Sequence, residues 1–452
     1  MHNVNARVVA SRRSHQVVAG MLSLLGAGVL ELGLARPAAA QASIDQAIPL
    51  DIPGVAVEPG VTVTSRRRPD YEYSGVRLGS YLVVPELSES VGYDDNVLGT
   101  RRKQGSAVVQ TRGDIQANSD LARTVVAARI TVDDNRYLSQ PRQSFTNWMA
   151  QVSGAHDLGR DTVALAYSHV NQTQTPRDLN APQLQSSLAY RIDTLQGDYR
   201  AVFNRLSLRP DLQVSLYDFD NGVVAGQPYR QDYRNRVTIG PSLTANYELA
   251  PRRDLVLVVR NLTASYTIRP DGFVNRDFND SSVLAGIDYE ADGLWRYRAL
   301  VGYEVRQFTS PTLKSIQAPI AEASVIFTPT GLTTLTGTVA RRIQDSADET
   351  TVGLTESSVK LVVDHEYKRN VLLTANAQAT LDEYNRGGGN QVRYTVGAGA
   401  TWLLNRNMRL GARYDFVTLR SNSTGIVALS NGFPLSSGYN ENRVLLQLRV
   451  GL

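Results

Sequence analysis

The chain contains no cysteine. That excludes a disulfide framework, a thiolate zinc site, a catalytic thiol and an iron–sulfur cluster. It also excludes a lipid-modified N-terminal cysteine, so any membrane attachment must come from the fold. Histidine is scarce, with 5 in 452 residues. Beyond the first forty residues only His156, His169 and His365 remain. Each falls near a strand end on the apolar register, where an interfacial structural role outweighs a ligand or catalytic one. No Gly-x-Ser-x-Gly elbow, phosphate loop or dinucleotide glycine pattern is present. The sequence therefore implies no cofactor, no metal and no enzyme; a wall-mounted Ser–His hydrolase is the remaining enzymatic alternative. Beyond residue 40 there is no run of eighteen apolar residues, so no transmembrane helix is expected. Trp (3) and Phe (9) are few beside Tyr (21). Tyr suits sites where one end of a ring is apolar and the other wet.

The N-terminus reads as an export leader. Arg7, Arg12 and Arg13 precede an apolar run from Val17 to Leu30, and Ala38-Ala39-Ala40 forms a small-residue cleavage pattern. Glu31 interrupts the run, which is too short for an anchor. The formal net charge of +4 is largely a property of this leader. Removing residues 1–40 takes away Arg7, Arg12, Arg13, Arg36 and Glu31, which leaves 43 basic and 42 acidic residues. Nucleic acid is therefore not an expected partner.

From residue 80 onward the chain alternates with period two. Val444, Leu446, Leu448 and Val450 share one face; Arg443, Gln447 and Arg449 share the other. Val392, Tyr394, Val396 and Trp402 alternate with Arg393, Gly397 and Gly399. Trp295, Tyr297, Val301 and Tyr303 alternate with Arg296, Arg298, Glu304 and Arg306. Connections also alternate, short near residues 157–160, 329–331 and 404–407, long and polar near 94–105, 170–184 and 421–439. Short turns on one side and long loops on the other are the pattern of an outer-membrane barrel. About eighteen segments can be counted. The expected fold is an all-β, antiparallel, up-and-down transmembrane β-barrel in the bacterial outer membrane. Soluble sandwiches and propellers fit less well, because charges recur on one face strand after strand and no blade period is found. The expected organisation is a cleaved signal peptide over 1–40, an extended periplasmic segment over 41–79 and a barrel over 80–452. Pro85 predicts a distorted first strand.

The inward register collects Arg296, Arg298, Glu304, Arg306, Arg393, Arg409, Arg413, Asp415, Arg443 and Arg449. One reading is a water-filled conduit whose Arg ladder steers acidic or hydroxyl-rich polymers. The other is pairing of Arg with carboxylates across the wall. Inward glycines, among them Gly286, Gly302 and Gly397, either widen the pore or relieve strand curvature.

The stretch from Gly79 to Thr100, with Pro85 followed by Tyr93-Asp94-Asp95-Asn96, resembles the opening strand and first external loop of a known family. These are the outer-membrane β-barrel porins found with capsule and exopolysaccharide operons of Gram-negative bacteria. The resemblance implies a conduit for a secreted polysaccharide, acting with a periplasmic or inner-membrane copolymerase. Such barrels usually end in an aromatic residue read by the barrel-assembly machinery; here the last residue is Leu452. Outer-membrane lipid is the expected surround. The alternative is a general diffusion porin for small hydrophilic solutes. No long third loop of constriction type stands out in the sequence, which places export first.

Overall fold

The computed structural model describes residues 61–179, 186–224, 227–269, 274–290, 293–346, 352–385, 389–421 and 438–452. The expected leader, and residues 41–60 of the segment after it, lie outside the described residues. Eighteen long strands form the wall. They are β1 (Tyr81–Asp94), β2 (Ser106–Ser119), β3 (Thr124–Tyr137), β4 (Phe145–Asp157), β5 (Thr162–Gln174) and β6 (Leu188–Phe203). Next come β7 (Leu206–Phe219), β8 (Arg236–Ala250), β9 (Arg253–Tyr266), β10 (Phe278–Tyr289), β11 (Trp295–Phe308) and β12 (Ile316–Thr330). The last six are β13 (Thr333–Gln344), β14 (Leu354–Lys368), β15 (Val371–Tyr384), β16 (Asn390–Leu403), β17 (Met408–Ser421) and β18 (Gly438–Gly451).

Each strand pairs antiparallel with its sequence neighbours, and β18 closes on β1 from Asp94↔Arg443 to Glu86↔Gly451. Closure satisfies every wall strand on both sides, as a bilayer requires. Nine external loops, L1 to L9 in chain order, join β1–β2, β3–β4 and so on to β17–β18. Two turns with little local signal, at residues 204–205 and 251–252, are two residues long. Asn204 (φ 47°) and Arg252 (φ 62°) there take the left-handed conformation that such hairpins demand. The stretch before Phe203 is one 16-residue strand, β6.

Outward faces carry the apolar register. Leu87, Leu165, Val301, Leu361 and Leu446 all stand exposed, Val301 at 69%. An apolar belt of that kind around a closed wall needs lipid to cover it. Among the described residues no helix is long and apolar enough to cross a membrane.

Pro85 does not distort β1, which runs unbroken along β2. It stands where β1 changes partner. Below it, Val76–Leu78 pairs with Tyr81–Val83; above it, β18 takes over. A residue with no N–H is tolerated at such a junction, and the Pro85 carbonyl accepts from the Leu452 N–H at 3.3 Å.

Three inward glycines mark curvature. A Cβ on Gly92, Gly286 or Gly302 would collide with the carbonyl oxygen of Val444, Ala299 or Val283 on the adjoining strand. The wall is therefore folded sharply at the β18–β1 seam and at the β10–β11 pair. These corners lie ten strands apart one way round and eight the other. At the β10–β11 corner, Val256, Val258, Leu284, Leu300 and Ile320 pack into a buried apolar cluster on the inner face. Arg260 of β9 and Glu322 of β12 form a bidentate pair between the flanking strands.

Candidate functional site: a lumen pinched at both ends

The external end is narrowed by L3. The chain leaves β5 at Gln174 and makes a tight turn, Thr175-Pro176-Arg177-Asp178. The Asp178 N–H donates to the Thr175 carbonyl at 3.1 Å, and the Thr175 N–H donates to Asp178 Oδ2 at 2.7 Å. Pro at the second position and Asp at the fourth suit this turn. It aims Arg177 across the lumen. Arg177 Nη1 donates to Asp94 Oδ2 at 2.6 Å and to Glu441 Oε1 at 2.9 Å. Its Nη2 donates to the Tyr137 hydroxyl at 2.9 Å. The Arg177 carbonyl accepts from the Tyr439 hydroxyl at 2.8 Å and from Arg393. Leu179 packs on Val417, Leu419 and Tyr439. One turn of L3 thus contacts β1, β3, β16, β17 and β18. Burial alone would weaken the Arg177 charge, but Glu441 and its neighbours outweigh it and hold the guanidinium well above its ordinary value. Burial pushes the Asp178 carboxyl up to about 6, against the pull of its Thr175 hydrogen bond and of Arg393.

The Tyr93-Asp94-Asp95-Asn96 element is the seat of this latch. Tyr93 faces outward, as does Pro85. Asp94 is fully buried on the inner face and also accepts from the Asn96 N–H at 2.9 Å. Asp95 ties L1 to β18, accepting from the Asn442 N–H at 2.8 Å and from Asn442 Nδ2 at 2.7 Å. Partial burial disfavours its charge, yet Lys103 and Asn442 hold its carboxyl below the usual range. Asn96 donates to the carbonyls of Thr100 and Asn440 at 2.8 and 2.9 Å. Gly99 (φ 59°) lies so close that a Cβ there would stand 2.7 Å from Arg177 Cγ. The element is therefore a clasp over the barrel seam and the anchor of L3. Among the described residues no group of three or more metal-ligating side chains exists here or elsewhere.

The short-turn end is narrowed by residues 61–75, which form turns and bends and not the extended segment expected. Val61 and Thr62 share a pocket with Glu290, Trp295 and Arg296. The Val63 N–H donates to Thr334 Oγ1 at 2.9 Å, and its side chain packs on Leu372 and Leu403. Arg68, 1% exposed, pairs with Glu366 at 2.5 Å. Arg409 stacks on Tyr73, 4.0 Å from the ring centre, and donates to the Tyr71 carbonyl at 3.3 Å. This strap follows the inner wall from β11 to β18 and then enters β1.

All ten inward residues singled out in the sequence lie on the inner face, and most are buried. Arg393 serves L3; Arg409 serves the strap and reaches Glu86 at 4.0 Å. Arg296 pairs with Glu290. Arg306 pairs with Asp280 at 2.9 Å, and Glu304 accepts from the Ile343 N–H at 3.2 Å. Arg413 pairs with Asp415 at 2.8 Å over Gly397, and Arg443 approaches the same carboxylate at 3.6 Å. Arg449 Nε donates to Gln447 at 2.8 Å. Arg298, facing Asp288 at 3.7 Å, keeps 36% of its side chain exposed. They do not form one wet ladder, because L3, the strap and neighbouring carboxylates cover them. Wet charges were missed: Arg112, Arg129, Asp133, Arg260 and Glu322 near mid-strand and Arg209 close to the short turn before β7, each with 30–42% of its side chain exposed. The same alternation marks them as inward; height along the strand was the unused signal.

Three solved structures resemble this one in fold. A BenF-like porin from Pseudomonas fluorescens is 10% identical, with a TM-score of 0.44, over 83% of this chain and 100% of that one. OccK2 of Pseudomonas aeruginosa is 10% identical, with a TM-score of 0.43, over 82% and 98%. The FrpB iron transporter of Neisseria meningitidis is 8% identical, with a TM-score of 0.43, over 81% and 82%. No curated protein matches the chain in sequence. Residues 68–450 match the family described as "Putative beta-barrel porin 2". That span takes in the clasp, the wall strands up to the penultimate residue of β18, and the strap from Arg68 onward. The chain belongs to this porin family and is a β-barrel channel protein of the bacterial outer membrane.

Proposed function

We propose that the barrel is a constricted diffusion channel for small hydrophilic solutes. The observation that carries this reading is L3 held across the external lumen by Arg177. Such a loop divides a girth of eighteen strands into a narrower passage, and the wet mid-lumen charges would orient polar solutes within it. Of the ten inward residues named from the sequence, Arg393 holds L3 and Arg409 holds the strap, while most of the others pair along the wall. Swelling of liposomes containing the refolded full chain tests this. Monosaccharides should enter, and sugars of five or more units should not. Equal exclusion of all sugars would refute it.

Export of a polysaccharide is the second reading, and the strap favours it. A segment seated in the periplasmic mouth and tethered by Arg68 to Glu366 is well placed for a copolymerase to withdraw. That reading requires loss of surface polymer on deletion of the gene. A deletion strain that secretes normally would remove it. In either reading lipid covers the apolar belt.

A further inference from the structure

Three arginines lie in one row across the barrel seam, toward the short-turn end. Arg409 of β17 stands opposite Arg449 of β18, Arg449 opposite Ser88 of β1, and Ser88 opposite Arg112 of β2. All four belong to the inward register, and the short Ser88 lets the Arg449 and Arg112 side chains approach over it. Arg409 and Arg449 are 3% and 2% exposed. Arg112 is paired with Asp133 at 3.4 Å and keeps 30% of its side chain exposed.

Burying guanidiniums side by side is costly unless acceptors meet them. Acceptors are short in this row. Arg409 has the Tyr71 carbonyl at 3.3 Å and Glu86 at 4.0 Å, and its Nε is buried without a hydrogen-bond partner. Arg449 Nε donates to Gln447 Oε1 at 2.8 Å. Its Nη1 and Nη2 are also buried, and among the described residues neither has a hydrogen-bond partner. The Nη edge is the part of a guanidinium that grips an oxyanion in two parallel bonds. Among the described residues, the carboxylates within ion-pair distance of the row are Glu86 and Asp133, one fewer than its guanidiniums.

The strap closes this row from the periplasmic side. Tyr73 stacks on Arg409, 4.0 Å from the ring centre. It also presses on Gly451, the next inward position of β18 after Arg449, where a Cβ would collide with its ring. Glycine at 451 thus lets the ring come down beside Arg449.

We propose that Arg449, flanked by Arg409 and Arg112, binds a small oxyanion of the phosphate class, and that Tyr73 is the lid of this site. The Nη edge of Arg449 takes two oxygens. Arg409 on one side and Arg112 on the other are placed for further oxygens, which phosphate has and a carboxylate lacks. The seated ring covers the edge that the anion needs, so ring and anion compete. A tethered group competes at an effective concentration in the mM range, so phosphate must reach about that level to lift the ring of the native chain. The site depends on how the strap is seated and not on what the lumen passes.

The test is calorimetric titration of the refolded full chain in detergent with sodium phosphate, and separately with sodium chloride at equal ionic strength. The native chain should bind phosphate in the mM range and show no saturable binding of chloride. Tyr73→Ala should bind phosphate about tenfold more tightly, because the tethered competitor is gone. In that background acetate should bind about fivefold more weakly than phosphate. Arg449→Gln should lose phosphate binding, with or without Tyr73→Ala, while keeping the heat-dependent gel shift of a folded barrel. Arg449→Lys keeps the charge and removes the fork, so it should weaken binding about fivefold and carries the test if Arg449→Gln does not assemble. The proposal is overturned if Tyr73→Ala binds phosphate no more tightly than the native chain. It is overturned equally if binding survives both Arg449 substitutions unchanged, or if chloride or acetate binds as well as phosphate.

Discussion

Arg177 donates to Asp94 at 2.6 Å, although 83 residues separate them in sequence. The contact joins the third external loop to the end of the first strand and fixes how far L3 enters the lumen. Removing one partner of a buried pair leaves the other uncompensated, at a cost of about 3–5 kcal/mol. Arg177→Ala should therefore undock L3 and raise single-channel conductance severalfold, with new protease cleavage within 175–179. Unchanged conductance in a folded variant would show that L3 does not set the constriction.

The latch should tighten on acidification. Asp178 has a carboxyl pushed up to about 6 in the docked loop, against about 3.9 for free aspartate. The docked state binds that proton more tightly. Docking therefore gains stability as pH falls through about 6, by at most about 3 kcal/mol, and loses it as pH rises. Conductance should be lower at pH 5.5 than at pH 7.5, and Asp178→Asn should flatten the difference. A profile that persists in Asp178→Asn would assign it to other groups.

The strap should be separable from the barrel. Arg68→Ala removes the nearer of the two cations on buried Glu366 and leaves Arg66 at 3.4 Å, and deletion of residues 41–75 removes the strap outright. Both variants should fold, and both should admit a thiol reagent from the periplasmic face to a cysteine placed at Thr334 faster than the native chain does. Equal labelling would mean that the strap does not cover that wall.

Curvature makes its own prediction. A side chain on Gly302 meets the backbone of β10, whereas one on Gly113 meets nothing within 4 Å. Gly302→Val should abolish the heat-dependent gel shift of the assembled barrel, and Gly113→Ala should preserve it. Assembly of Gly302→Val at the native level would show that the wall relaxes there at little cost.

The wall was legible because the membrane imposes it residue by residue. Every outward position needs an apolar side chain and every inward one tolerates charge, so Val444 and Arg443 declare their faces without any tertiary information. The constrictions were not legible for the opposite reason. Thr175-Pro176-Arg177-Asp178 announces a turn, but nothing local says that it bends inward, because its partners Asp94, Tyr137 and Glu441 lie on three distant strands. Asp94 and Asn96 stood out as a motif, and their role as clasp and anchor needed the seam of the closed barrel. Residues 61–75 read as part of an extended segment, since Arg68 is an ordinary exposed cation until Glu366 is placed beside it.

The most direct test is single-channel conductance of the refolded full chain in a planar bilayer, with polyethylene glycols of graded size added to both sides. The account predicts stable conductance that small glycols reduce and glycols above about 1 kDa leave unchanged. A barrel that stays silent, or one whose conductance falls with glycols of several kDa, would contradict a constricted small-solute channel.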